Sequence, residues 1–183
     1  DPAMVGKNHS DADYIAEEDL VTGIVINGDS RAYPHNIGGR HEIINDVVGG
    51  QPLVISFCPL TGTGMVFDGL GADGSRITCG VSGLLFNNNL VMYDRRDARD
   101  LSTMTLYPQM LGVSTRGARE GNELNLLPVV ETPMTASVPR GRMPVDKAAD
   151  RIMRGLARND AFPGGDLSVV KYLAQGMLGK KGK

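Results

Sequence analysis

At 183 residues with 41% hydrophobic side chains, the chain is long enough for one domain with its own core, or for a domain with an appendage. A net charge of −2, an aromatic content of 5% and the absence of Trp argue against a nucleic-acid platform, which needs a basic surface and stacking rings. No run of about 18 apolar residues occurs, so no transmembrane segment is expected. Charge is unevenly distributed: residues 1–70 carry ten acids against three bases, and residues 71–183 eleven against sixteen.

Residues 1–20 read as an irregular acidic lead-in, with Asp11, Asp13, Glu17, Glu18 and Asp19 and few apolar anchors. They show neither the charged leader nor the apolar core of a secretory signal, and Asp1-Pro2-Ala3-Met4 does not read as a natural start. From Val21 the texture changes. Thr22-Gly23-Ile24-Val25-Ile26 is a β-branched run followed by Asn27-Gly28, the strongest two-residue hairpin signal, and Arg31-Ala32-Tyr33 is the return strand, stopped by Pro34. Glu42 to Val48 and Leu53 to Cys58 form a second strand pair about Gly49-Gly50. The latter strand is nearly continuous in apolar residues, the pattern of burial on both faces. Pro59 halts it and Gly62-Thr63-Gly64 bends the chain into Met65-Val66-Phe67. A turn over 69–74 then returns Arg76-Ile77-Thr78-Cys79 as a hairpin partner of that strand. Leu90 to Tyr93 and, more weakly, Leu126 to Val130 are further strands.

The C-terminal texture is helical. Val145, Ala148, Ala149, Ile152, Met153 and Leu156 make an apolar stripe, with Lys147, Arg151, Arg154 and Arg158 largely off it. After a loop over 159–165, Asp166 is an N-cap, Val170, Leu173, Ala174 and Met177 continue with helical spacing, and Gly179 closes the helix. The expected fold is α+β: a mostly antiparallel β-sheet or barrel-like core with two C-terminal helices. The basic face on those helices reads first as a solvated surface, with a docking face for a protein partner as the alternative.

Cys58, in Cys58-Pro59-Leu60-Thr61-Gly62, is the most suggestive residue. It ends a buried strand at a tight turn, where side chains reach a rim. A thiol acts as nucleophile or metal ligand only as thiolate, so something must lower its pKa. The Thr61 hydroxyl and the N–H groups of Leu60 and Thr61 are placed to do so if the turn curls; Pro59 has none to offer. The competing reading is a small buried hydrophobe, and the pattern alone favours it. Cys79, if it lies on the hairpin partner of 65–68, comes close enough for a Cys58–Cys79 bridge to be considered. His41, heading a strand beside that of Cys58, is a candidate base or metal ligand; His35 and His9 fall in a loop and in the lead-in. No Cys/His spacing matches a four-ligand zinc site, and no cofactor is indicated. Gly80-Val81-Ser82-Gly83 and Asn87-Asn88-Asn89 read as turns able to form an anion nest and a small-molecule site. Tyr93-Asp94-Arg95-Arg96 reads as a structural ion pair with a loop.

Several segments together resemble the bacterial family of domain of unknown function 3179. They are Ile26-Asn27-Gly28 with Arg31-Ala32-Tyr33-Pro34, His41-Glu42-Ile43-Ile44-Asn45-Asp46, and Cys58-Pro59-Leu60-Thr61-Gly62 running into Val66-Phe67-Asp68. Gly80 to Leu85 with Leu90 to Asp94 follows, and Leu127-Pro128-Val129 is a fainter echo. The resemblance covers about residues 21–132, leaving 133–183 as a helical extension. It implies no established reaction. Family members usually read Cys-Pro-Leu-Cys-Gly, some with selenocysteine at the second position, a pattern that resembles a redox pair, and they often carry export signals. Here Thr61 occupies the second position. The resemblance therefore implies an extracytoplasmic, thiol- or metal-dependent redox domain with Cys58 central, His41 supporting and Thr61 polarising. The alternative is a non-catalytic binding or structural subunit of a larger assembly that has lost the family's second redox residue.

Overall fold

A computed structural model describes residues 2, 4–6, 10–16, 18–97, 103–134 and 167–170. The bulk of both predicted C-terminal helices, with their basic face, and His9 lie outside the described residues. The fold is α+β and β-rich: twelve described strands in three open sheets, one short α-helix and two 3-10 turns. None of the described sheets closes into a barrel.

The chain divides into two compact units. One comprises Pro2–Ile37 and Val129–Lys183. Its sheet has the order β1-β12-β3-β2-β11, with β1 Met4–Gly6, β2 Leu20–Ile26, β3 Asp29–Pro34, β11 Val130–Pro133 and β12 Leu167–Val170. All its pairings are antiparallel except β12 with β3. Two features depart from expectation. The acidic lead-in contains a strand and a 3-10 turn (Ser10–Ala12), with Ala12 buried and Ile15 packed against Val21 and Ala32. Residues 167–170, expected to open a helix, pair between β1 and β3 as a strand; three of the four are β-branched or Leu, equally at home in a ladder.

The other unit, Gly38–Pro128, holds the site. One sheet runs β10-β6-β5-β4, with β4 Ile43–Val48, β5 Gln51–Cys58, β6 Thr63–Asp68 and β10 Leu126–Leu127; a second runs β7-β8-β9, with β7 Cys79–Phe86, β8 Asn89–Asp94 and β9 Leu106–Pro108. The hairpins expected about Asn27-Gly28 and Gly49-Gly50 form, and β7 and β8 make a third about Asn87-Asn88. Their two-residue turns take left-handed backbone at Asn27-Gly28, Gly49-Gly50 and Asn87-Asn88, the conformation whose twist matches that of paired strands. β5 buries Leu53, Val54, Ile55 and Ser56 in succession, as its apolar run predicts.

The two sheets share a core of Val54, Cys58, Phe67, Ile77, Cys79, Leu90, Met92, Tyr107 and Leu124. A side chain also joins them. The Asn45 amide on β4 donates to the Cys79 carbonyl (3.0 Å) and accepts from the Cys79 N–H (2.8 Å), standing in for a rung of ladder. Cys79 thus opens β7 and pairs with Asp94 of β8, not with the 65–68 strand as expected. The turn over 69–75 closes on itself through Leu70 and Arg76 instead. At the far end of β8 the buried Asp94 carboxylate is gripped by the Arg96 guanidinium (2.6 Å), which also contacts Asp73 and Ser75. This is the strand-to-loop ion pair expected from the sequence.

The segment after Pro34 was expected to be a loop, yet His35–His41 is a helix, α1, despite Gly38 and Gly39. Gly38 explains the exception: a Cβ there would lie 2.9 Å from the Phe57 Cβ. The glycine that weakens the helix by propensity lets its last turn close against the end of β5.

Candidate functional site: a polarised thiol

β5 ends at Cys58, and Pro59, Leu60, Thr61 and Gly62 turn the chain into β6, where Thr63 pairs back with Cys58. All four turn residues are exposed. Cys58 itself is 1% exposed and belongs to the core of its unit, immediately before that exposed turn.

Burial pushes the Cys58 thiol up, but hydrogen bonds outweigh it and the pKa falls below the ordinary value. The donors are the Thr61 hydroxyl and the backbone N–H groups of Thr61, Leu90 and Leu60. The turn curls as the sequence suggested, and β8 adds Leu90. Donors converging on sulfur favour thiolate because they stabilise the charged form more than the neutral one. Cys79, in the same core, is treated in the opposite way: burial, reinforced by the Asp94 carboxylate, pushes it up to about 12. Both cysteines are free thiols, so the bridge considered from sequence is not formed.

Behind Thr61 runs a buried amide relay. Asn89 Nδ2 donates to Thr61 Oγ1 (3.0 Å) and to Gln109 Oε1 (2.8 Å); Gln109 Nε2 donates to Ser56 Oγ (3.0 Å) and to the Thr63 carbonyl (3.0 Å). Ser56 Oγ donates to the Met65 carbonyl, and the Met110 N–H to Asn89 Oδ1. Because Asn89 donates to Thr61 Oγ1, that oxygen serves as acceptor there and its own proton is free for the hydrogen bond that lowers the Cys58 pKa. A donor that itself accepts is strengthened. Gln109 is 0% and Asn89 3% exposed, so every link counts: a buried amide left unpaired is costly.

His41 is exposed at the end of α1, and none of the groups acting on Cys58 belongs to it. It touches the site only through the backbone: the next residue, Glu42, accepts the Phe57 N–H at 2.7 Å. His35 starts α1 in the other unit, 2.9 Å from Thr22 Oγ1 and 3.7 Å from Glu131. Burial lowers its pKa, with Glu131 opposing. Among the described residues no three of His, Cys, Asp and Glu stand together to hold a metal. Gly80 to Gly83, expected as a turn, belong to β7 instead: Gly80 and Val81 pair with Tyr93 and Met92, Gly80 lies close against the Tyr93 ring, and the ladder breaks between Val81 and Leu85, where Gly83 takes a positive φ. Asn87-Asn88 do form the hairpin turn, but Asn89 points inward as the centre of the relay.

The fold and this geometry define an α+β domain whose core holds two free thiols, Cys58 polarised and Cys79 suppressed. The chain belongs to the family described as protein of unknown function (DUF3179), whose model matches residues 1–143. No curated protein and no solved structure matches it. No helix among the described residues is long and apolar enough to cross a membrane.

Proposed function

We propose that this domain is a single-thiol redox protein in which Cys58 reacts as thiolate by exchange with disulfide substrates. The observation that carries this reading is the contrast between two thiols of one core: Cys79 has its ionisation suppressed, whereas four donors are spent on Cys58. A cysteine acting only as a small hydrophobe needs no such donors. Thr61 holds the position of the family's second redox residue and keeps the thiolate, rather than resolving an intermediate. Resolution falls to a thiol of the substrate. His41 is assigned no step. The same proposal sets the protein outside the cytoplasm, where the export signals common in its family would take it; fractionation of the native host checks that.

The test is the pH dependence of alkylation in the intact protein, with the modified residue located by peptide mapping. Cys58 is expected to be labelled with a midpoint below that of free cysteine, and Cys79 to stay unlabelled. A Cys58 that reacts no faster than Cys79 at neutral pH overturns the proposal. The near-complete burial of Cys58 favours a second reading, a non-catalytic binding module, for which partner copurification without disulfide exchange is the expected result.

A further inference from the structure

Three strand ends meet where Asn89 sits. Asn89 is cross-strand partner to Phe86, donates to Thr61 of the Cys58 turn, and accepts from the Met110 N–H. Around this point Leu60, Leu84, Leu85, Phe86, Met110 and Leu111 are large, apolar and exposed, by 44% to 67%. Singly exposed apolar residues are ordinary on a protein surface; six of them gathered about one point mark a binding site. The charge pattern points the same way. Residues 51–67, 77–93 and 105–113, which carry these six side chains, contain no Asp, Glu, Lys, Arg or His, although 22% of the chain is charged. Arg40, His41 and Glu42, at the end of α1 and the start of β4, reach this end of the unit on the Phe57 side of β5. A charge that gave up its water against the six apolar side chains would gain no counter-ion from the segments that carry them.

We infer that the substrate of the Cys58 thiolate is a disulfide flanked by uncharged, apolar groups, as on a hydrophobic polypeptide segment, and not a charged small disulfide. This rests on the thiol reading proposed above. In the first step the Cys58 sulfur bonds to one sulfur of the substrate disulfide. The substrate S–S bond breaks, and its electron pair leaves on the second sulfur as thiolate, which takes a proton from water. A thiolate of the same polypeptide then attacks the mixed disulfide at the substrate's sulfur and releases Cys58 as thiolate. The substrate leaves with a rearranged disulfide, and no external oxidant or reductant is consumed.

The test compares exchange rates of the full chain with neutral 4,4′-dithiodipyridine, dianionic 5,5′-dithiobis(2-nitrobenzoate) and dicationic cystamine. Each rate is divided by the rate of that reagent with free cysteine at the same thiolate concentration. The neutral aromatic disulfide is expected to be favoured by roughly tenfold over both charged ones, the scale of burying one or two partly covered apolar groups. A Leu84→Ser/Leu111→Ser double variant changes two of the exposed apolar side chains and none of the residues that donate to Cys58 or form the amide relay. It should lower that preference several-fold while leaving the alkylation midpoint of Cys58 in place. Equal normalised rates for all three reagents would overturn the inference and leave the thiol reading standing. A Cys58 inert to all three overturns both.

Discussion

Replacing Thr61 by valine keeps the shape of the side chain and removes its hydroxyl. The Cys58 thiolate then loses one of its four donors, the only one from a side chain. A hydrogen bond to a charged group contributes about 1.5–3 kcal/mol, and a change of one pKa unit corresponds to about 1.4 kcal/mol. With three backbone donors still in place to share the charge, the low end applies, and the Cys58 midpoint should rise by about one unit. The relay adds a second effect. Asn89 Nδ2, which donates to Thr61 Oγ1 at 3.0 Å, is left facing a methyl group. An unpaired buried donor costs about 1–3 kcal/mol, and Thr61→Val should lose that much stability. Thr61→Ser restores the hydroxyl and is expected to restore both. The assay is the rate of iodoacetamide alkylation against pH, with urea unfolding in parallel. Cys79 needs no mutation, because a thiol with a pKa pushed up to about 12 stays protonated across the useful range. A Thr61→Val protein that is folded, destabilised and unchanged in its alkylation midpoint would refute the view that the hydroxyl proton is directed at sulfur.

Stability should carry the same signature. An unfolded cysteine titrates near 8.5, and folded Cys58 titrates lower. Between the two values the unfolded chain holds a proton that the folded one has released, so stability rises with pH. The Cys58 contribution is full above the unfolded value and is lost as pH falls through the folded one. Cys79, raised in the folded state, acts oppositely above about 8.5. Comparing wild type with Cys58→Ala over that window isolates the first effect, and a difference that does not change with pH would contradict it. Gly38→Ala gains about 1 kcal/mol of helix propensity. It also forces a Cβ to within 2.9 Å of the Phe57 Cβ, an overpacking that costs about 1–3 kcal/mol. The net expectation by urea unfolding is a loss, and a gain would show that α1 shifts freely. Tyr107→Phe should be neutral or stabilising by about 1 kcal/mol in thermal unfolding, because the buried Tyr107 hydroxyl has no hydrogen-bond partner among the described residues. A clear loss would reveal one.

Most of the strand architecture is legible in the sequence because it is written in short-range terms: apolar runs, two-residue turns, and prolines that end strands. The hairpins about Asn27-Gly28 and Gly49-Gly50 and the doubly buried β5 follow from those signals alone. What is missed depends on contacts distant in sequence. α1 contains two glycines and reads as a loop until Phe57 supplies the surface against which Gly38 packs. Gly80 to Gly83 read as a turn by composition, but Gly80 and Val81 are held extended by their partners Tyr93 and Met92 in β8, and only the bulge beyond them keeps a turn-like glycine, Gly83. Around Cys58 the local half of the cradle, Thr61 with the Leu60 and Thr61 N–H groups, is readable from a four-residue turn. The remote half, comprising Leu90, Asn89 and Gln109, comes from strands some 30 and 50 residues away. One signal for it was present: Ser56 inside an apolar strand and Asn89 beyond its turn are polar residues placed where the pattern demands burial, and buried polar groups require partners.

Asn45 makes one side chain do the work of a peptide group, and this makes the join between the two sheets of its unit vulnerable to chemical ageing. An ordinary ladder rung is indifferent to side-chain chemistry. This one is not: deamidation of Asn45, or the substitution Asn45→Asp, exchanges the Nδ2 donor for a carboxylate oxygen facing the Cys79 carbonyl. Attraction becomes repulsion at one end of the pair while the N–H bond at the other end is kept. The seam would loosen at the mouth of β7, beside the thiol that is held neutral, leaving the Cys58 turn at the opposite end of that strand to report the damage last.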